Sequence, residues 1–349
     1  MSVTLIVILT IVLALGFDVV NGFHDAANSI ATVVSTRVLT PRKAVIWAAT
    51  FNFVALFVFK IGVADSIAKI IIFHDGDPAM LRVCVVMSGL IGAIAWNLLT
   101  WWWGLPASSS HALIGGVGGA GVAYAALERS GPALSILNYD NIIPVLKFII
   151  LAPLIGLVLG YLIMLLVYWV FRRMRPQRVD RTFRIGQLIS SAAYSIGHGG
   201  NDAQKTMGII LMVLIASGAS SGGKAIHYDG VPMWVIFASY GCMAFGTAIG
   251  GWRIVKTMGM GLTRLRPVGG FCAEVAGAIT LFIATYLKVP VSTTHTITGA
   301  IIGVGSASHP RGIRWGLAGR IVWAWIFTIP AAAAVGAGCF ALIRMIHPW

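Results

Sequence analysis

Long apolar segments set the first constraint on this chain. They lie roughly at 3 to 20, 44 to 64, 82 to 103, 107 to 127 and 142 to 171, and again at 185 to 217, 232 to 252, 268 to 287, 290 to 306 and 321 to 346. A helix needs about 20 apolar residues to cross a bilayer, so these segments predict an all-α polytopic membrane protein. Composition agrees. Of 349 residues, 58% are hydrophobic and 10% charged, with a mean hydropathy of +0.88; a soluble domain carries about 25% charged residues.

The net charge of +14 would suggest nucleic acid in a soluble protein, but here the placement of the charge matters more. Sixteen of the 25 lysines and arginines fall in four short connections, which hold Arg37, Arg42 and Lys43, then Arg172 to Arg184, then Arg253 to Arg266, then Arg311 to Arg320. Under the positive-inside rule these are cytoplasmic loops, and no nucleic-acid partner is expected. Asp65, Asp75, Asp77, Glu128, Asp140 and Asp229 occupy the intervening connections, expected outside. Five crossings on each side of the basic loop put both termini outside, so Met1 to Leu15 reads as a first transmembrane helix. The four cysteines stand alone in apolar segments and read as small packing residues.

One polar run interrupts this pattern. His198-Gly-Gly-Asn201-Asp202-Ala-Gln204-Lys205-Thr206 has apolar sequence on both sides, and a charge at the bilayer centre costs a few kcal/mol on insertion scales. Its echo is Gly22-Phe-His24-Asp25-Ala-Ala-Asn28, at an offset of 202 − 25 = 177. A second pair follows in the same order. Pro106-Ala-Ser108-Ser109-Ser110-His111 aligns with Pro290-Val-Ser292-Thr293-Thr294-His295 at 295 − 111 = 184. Two ordered motifs at nearly one offset indicate an internal duplication. An odd number of crossings per half makes it an inverted repeat, with the substrate site between halves at the midplane. The expected organisation is a first repeat over 1–171, a basic loop over 172–184 and a second repeat over 185–349.

The Gly-rich Asp motifs are expected to break their helices and expose backbone to a ligand. Asp25 and Asp202 can each hold a cation or a proton; the plainer reading is a buried ion pair such as Asp25 with Lys205, which would stabilise little. In each Pro-Ser box, proline and three hydroxyl residues suit a helix start, where free amides and the dipole favour an oxyanion. Ser108, Ser109, Ser110, Ser292, Thr293 and Thr294 are thus candidate anion ligands, with simple capping as the alternative. His24 and His198 can relay protons near neutral pH, whereas His111 and His295 suit packing as well as ligation. Glu274, among small residues, is a third intramembrane acid able to face the centre. Gly116-Val-Gly118-Gly119-Ala-Gly121 lacks the strand a nucleotide loop needs; like Gly156 with Gly160 and Gly246 with Gly250, it suits close helix packing.

The paired Asp motifs and Pro-Ser-His boxes resemble the inorganic phosphate transporter family, the PiT permeases, over essentially the whole chain. His24 stands where many sodium-coupled members have Asn, and Gln204-Lys205 where they have Ala-Asn. The chain is therefore closer to the bacterial low-affinity, proton-coupled branch. The resemblance implies symport of phosphate, in that branch also as a metal-phosphate complex, by alternating access of a homodimer in the cell (inner) membrane, with no cofactor. It implies a polar centre of Asp25, Asn28, Asn201 and Asp202, with Asn201 assigned to phosphate beside the two hydroxyl boxes. Lys205 joins the phosphate ligands on charge alone. Asp25, Asn28, Asp202, Glu274, His24 and His198 are assigned to the coupling ion, most simply a proton. The alternatives are a sulfate permease of the same fold and a membrane enzyme acting on phosphate esters, the latter disfavoured because no nucleophile-base pair or metal-ligand spacing is present.

Overall fold

The computed structural model describes residues 2–74, 76–218 and 231–347; Asp75 and Asp229, expected among the outward acids, lie outside them. Among the described residues there are twelve α-helices: α1 Val3–Ser35, α2 Pro41–Val54, α3 Val63–Ala68, α4 Ala79–Trp103, α5 Ser109–Glu128, α6 Tyr139–Phe171, α7 Pro176–Ala216, α8 Met233–Ile249, α9 Trp252–Lys256, α10 Pro267–Tyr286, α11 Thr293–Ser308 and α12 Trp315–Ile346. Local chemistry sets several ends. Ser2 caps α1 by accepting from the Leu5 amide, proline opens α2, α7 and α10, and Gly104 stops α4 at φ 66°, where a left-handed residue suits glycine.

Each of the ten expected segments contains helix, with non-helical residues at positions such as 58–62 and 290–292. Six helices, α1, α4, α5, α6, α10 and α12, are long and apolar enough to cross a membrane, and α8 with Trp252–Gly259, bent by 60°, makes a seventh. The other three fall short for visible reasons. α2 has 14 residues before the chain breaks toward α3, α11 has 16, and α7 has 41 residues that include the basic start and the polar run. Large apolar side chains on α6 and α12, such as Ile150, Trp169, Trp323 and Leu342, are exposed, as lipid-facing positions are. The protein is a multi-pass membrane protein.

Two expectations about these elements are corrected. The stretch 172–184 is a loop only over 172–175, because Pro176 opens α7 and Arg178, Arg181 and Arg184 lie on its first turns. The Asp motifs do not break their helices either. α1 runs through 22–28 and α7 through 198–206 without interruption, because their polar side chains find partners across the helix interface and the backbone keeps its own ladder. The inward breaks fall at the Pro-Ser boxes, where 104–108 and 287–292 turn into the protein before α5 and α11 begin.

Packing pairs the two halves reciprocally. α5 packs on α12 and α11 on α6, α4 on α12 and α10 on α6, α1 on α8 and α7 on α2. Close approach repeats at matching positions. A methyl group on Gly115 or Gly119 would stand 2.6 or 2.3 Å from the carbonyl oxygens of Ile329 and Ala333; on Gly299 or Gly303 it would stand 2.1 or 2.0 Å from those of Pro153 and Leu157. Residues 299 and 303 are 115 and 119 plus 184. This arrangement is compatible with an inverted repeat.

The connections sort by charge. At one end Arg129 pairs with Asp77, Glu128 with Arg344 and Lys69 with Asp65. Burial alone would raise the Asp77 carboxyl, but Arg129 and the His74 amide outweigh it and hold it below the ordinary carboxylate range. At the other end Arg184 donates to the Arg37 carbonyl and Arg253 to that of Trp102. Arg253 also lies over the rings of Trp101 and Trp102.

The glycine contacts predict that Gly303→Ala lowers the thermal stability of purified protein in detergent, by about 1–3 kcal/mol as overpacking costs. Gly338→Ala, on α12 with nothing within 4 Å, should leave it unchanged or slightly raised. Equal melting temperatures for the two variants would contradict the packing role.

Candidate functional site

Polar residues recur at helical spacing on the two central helices. On α1 they are Asp18, Asn21, Asp25, Asn28, Thr32 and Thr36; on α7 they are Gln187, Ser191, Tyr194, His198, Asp202 and Lys205. Steps of three and four residues put each set on one helix face, and α1 packs against α7. All but one of the twelve are fully buried in the interior of the protein, and the exception, Thr36, is 6% exposed at the helix end.

Onto these stripes the amino ends of α5 and α11 converge. At each, the box serine sits in extended backbone and its hydroxyl accepts from the amide three residues on, Ser108 from His111 and Ser292 from His295, both at 3.2 Å. Ser108 and Ser292 are therefore caps in this structure, the plainer of the two readings. The next two residues of each box point their hydroxyls inward, and their amides are among those a helix start leaves unpaired. The two helices run away from the centre to opposite ends, α5 to Glu128 beside Arg344 and α11 toward the 262–263 turn.

The contacts match at positions offset by 177 and 184 residues. Ser109 donates to Asp25 Oδ2 at 2.9 Å, and its counterpart Thr293 reaches Asp202 Oδ2 at 3.4 Å. Asn28 Nδ2 donates to Thr294 Oγ1 at 2.9 Å and to Thr293 Oγ1 at 3.1 Å. Lys205, the counterpart of Asn28, donates to Ser110, the counterpart of Thr294, and also to Asp202 and, at 2.9 Å, to the Val291 carbonyl oxygen. All three ammonium donors are used. Lys205 thus pairs with Asp202, not with Asp25 as the ion-pair reading supposed.

Each carboxylate also meets a histidine. His24 Nδ1 lies 2.7 Å from Asp25 Oδ1, with its other nitrogen 3.2 Å from Thr100 Oγ1. His198 Nε2 lies 3.3 Å from Asp202 Oδ2, and its Nδ1 is 3.2 Å from Asn52 Oδ1, whose amide group donates to Thr247. One ligand atom each from Asp25, His198 and Asp202 come within 4.8 Å of one another. The centre therefore brings together two carboxyl groups, one amine and two imidazoles.

Two expected site residues do other work here. Asn201 accepts from the Val291 amide and donates to Val289 and Thr285, bracing the turn before α11. Glu274 lies away from the Asp pair, held by Gln187 at 3.0 Å and by Ser190; Ser190 is twelve residues before Asp202 on α7, about 18 Å along the helix. His111 and His295 pack edge to face at 4.7 Å, with His295 stacked on Trp325. Sequence reasoning missed Thr100, Asn52 and Tyr194, whose hydroxyl donates to the Thr293 carbonyl oxygen. Thr100 and Asn52 lie in largely apolar segments outside the repeated motifs, but Tyr194 continues the α7 stripe and could have been found there.

Comparison with known proteins extends the reading. The model of the Phosphate transporter family matches residues 21–336. Relatives include the probable low-affinity inorganic phosphate transporter of Rhizobium meliloti, 52% identical over 330 residues, covering 95% of this chain and 94% of the relative. That of Bacillus subtilis is 42% identical over 344 residues, covering 98% of each. A solved structure titled the sodium-dependent phosphate transporter shares the fold, with a TM-score of 0.87 at 22% identity, covering 98% of this chain and 100% of that one. With a site assembled from duplicated Asp motifs and duplicated helix ends, the chain belongs to the phosphate transporter family, whose members are transporters and not enzymes.

Proposed function

We propose that this protein imports inorganic phosphate across the cell membrane by symport with protons. It works by alternating access of an inverted-repeat fold, as a homodimer whose termini face outward. The observation that carries the reading is the symmetric convergence of Ser109-Ser110 and Thr293-Thr294, each on an aspartate, with one lysine added. Hydroxyls, first-turn amides and an ammonium suit an oxyanion. The adjoining carboxylates repel it.

That opposition supplies coupling. With Asp25 and Asp202 ionised and Lys205 charged, the centre has a net charge of −1 before substrate arrives. Bringing a phosphate anion into a low-dielectric site of the same sign is unfavourable by several kcal/mol unless positive charge comes with it. A proton on either aspartate removes that repulsion, and by linkage bound phosphate raises the site's affinity for the proton by the same factor. His24 and His198 give each carboxyl group an adjoining imidazole nitrogen, at 2.7 and 3.3 Å. The Asp25, His198 and Asp202 ligand atoms are also where a sodium ion or a metal accompanying phosphate would sit, so the test must separate these cations.

Labelled phosphate uptake into proteoliposomes, with proton, sodium and divalent-metal gradients imposed singly, should respond to the proton gradient. Accumulation under sodium alone would overturn proton coupling, and competition by sulfate without competition by phosphate would overturn the substrate.

Asp25→Asn and Asp202→Asn should each abolish uptake while the protein still inserts and purifies as one species. Normal transport by either variant removes its coupling role. Ser109→Ala and Thr293→Ala should weaken apparent phosphate affinity by about 0.5–1.5 kcal/mol, a net hydrogen bond. Ser108→Ala should instead cost about 1 kcal/mol of stability as a lost cap, with affinity unchanged; the opposite partition would make Ser108 the ligand.

A further inference from the structure

We infer that Asp18, together with Asn21 and Thr206, forms a second proton-holding station beside the central pair, on the α1 side nearer the chain termini. Asp18 is fully buried, and neither carboxyl oxygen has a hydrogen-bond partner. Asn21 and Thr206 face it. Asn21 turns its Nδ2 toward Met243 Sδ at 3.7 Å and leaves Oδ1 without a donor, and Thr206 Oγ1 is also without a partner. Four buried oxygens in one place lack partners, and an ionised carboxylate so placed would cost several kcal/mol. One added proton resolves the whole set. A neutral Asp18 can donate its O–H to Asn21 Oδ1, and Thr206 can donate to the other carboxyl oxygen.

A proton suits the place better than a metal ion. Hard cations take about six oxygens, whereas this pocket offers four, from three side chains, and the thioether of Met243 on its α8 side. The ionisable groups around Asp18 are Asp202 and Lys205 from α7 and Tyr240 and Cys242 from α8; α4, also packed on α1, carries only Arg82 and Cys84. Asp18 is seven residues before Asp25, about 10 Å along the same face, and Thr206 follows Lys205 directly. Asp18 is thus within electrostatic reach of the Asp202–Lys205 pair. The repeat counterpart of Asp18 is Ser195, at 18 + 177, so the station exists in one half alone.

This inference rests on the proton-coupled reading, and the test separates the two. The full-length protein is reconstituted, and two phosphate fluxes are compared: exchange of labelled for unlabelled phosphate, which needs no net proton movement, and accumulation driven by a pH gradient. Asp18→Asn and Asp18→Ser should keep exchange within roughly twofold and lose gradient-driven accumulation by roughly tenfold or more, a coupling loss of ordinary size. Infrared difference spectra should lose one carbonyl-stretch component of a protonated carboxylic acid in both variants. Unchanged accumulation and pH profile, loss of exchange in a folded variant, or an infrared spectrum identical to that of the wild type would each overturn the role of Asp18. A wild-type protein driven by sodium alone would overturn proton coupling itself, while the infrared measurement still decides whether Asp18 holds a proton. Should Asp18→Asn fail to fold, Asp18→Ser carries the comparison, because serine is what the other half tolerates at this position.

Discussion

The pairing of Lys205 with Asp202 is the interaction on which the centre depends. It is buried, it uses every donor of the ammonium, and it ties α7 to the amino ends of both α5 and α11 through Ser110 and the Val291 carbonyl. A buried ion pair contributes little net stability against its desolvation, so its retention points to a task other than holding helices together. The Lys205–Ser110 contact, but not the ion pair itself, has its counterpart in the first half, where Asn28 donates to Thr294 without a charge. The scaffold is thus closely symmetric while its electrostatics are not.

Symmetry of that quality requires symmetric backbones, and glycine provides them. Gly115 and Gly119 against α12, and Gly299 and Gly303 against α6, let helices cross where a Cβ would collide with a carbonyl. These crossings hold the amino ends of α5 and α11 at the centre. The caps Ser108 and Ser292 then fix where each helix starts, so that the following hydroxyls face Asp25 and Asp202 and not each other.

Much of this was legible in the sequence because the duplication can be read directly. The offsets of 177 and 184 foretell which residues occupy matching places, and the pairs Asp25 with Ser109 and Asp202 with Thr293 fall on them. The helical segments were legible from hydropathy alone. What was misread follows from treating polarity and glycine as helix breakers. Residues 18, 21, 25, 28 and 32 keep helical spacing through the supposed break, and that periodicity was the better signal. Asp18 carries no sequence signal of its own, because a single acid near an expected helix end looks ordinary, and the length of α1 puts it inside. The partners of Glu274 are not legible, because nothing in sequence says which neighbour a small-residue helix turns its one carboxylate toward; Gln187 and Ser190 decide it. Asn201 was assigned to substrate by its motif, although its amide is consumed by the turn at 289–291.

The asymmetry between Asn28 and Lys205 bears on how many charges must move together. Were both positions lysine, two ammonium groups would balance two aspartates and an incoming phosphate would need no companion. Were both asparagine, the unliganded centre would carry two uncompensated charges and would demand cations even when empty. One of each sets two carboxyl groups against a single amine, an imbalance that in the proposed mechanism penalises phosphate entering alone. A carboxyl such as Asp18, outside the pair but within its electrostatic reach, would let the site offset that imbalance without opening to water, which a protein alternating between two faces of a membrane needs in order to avoid a proton leak.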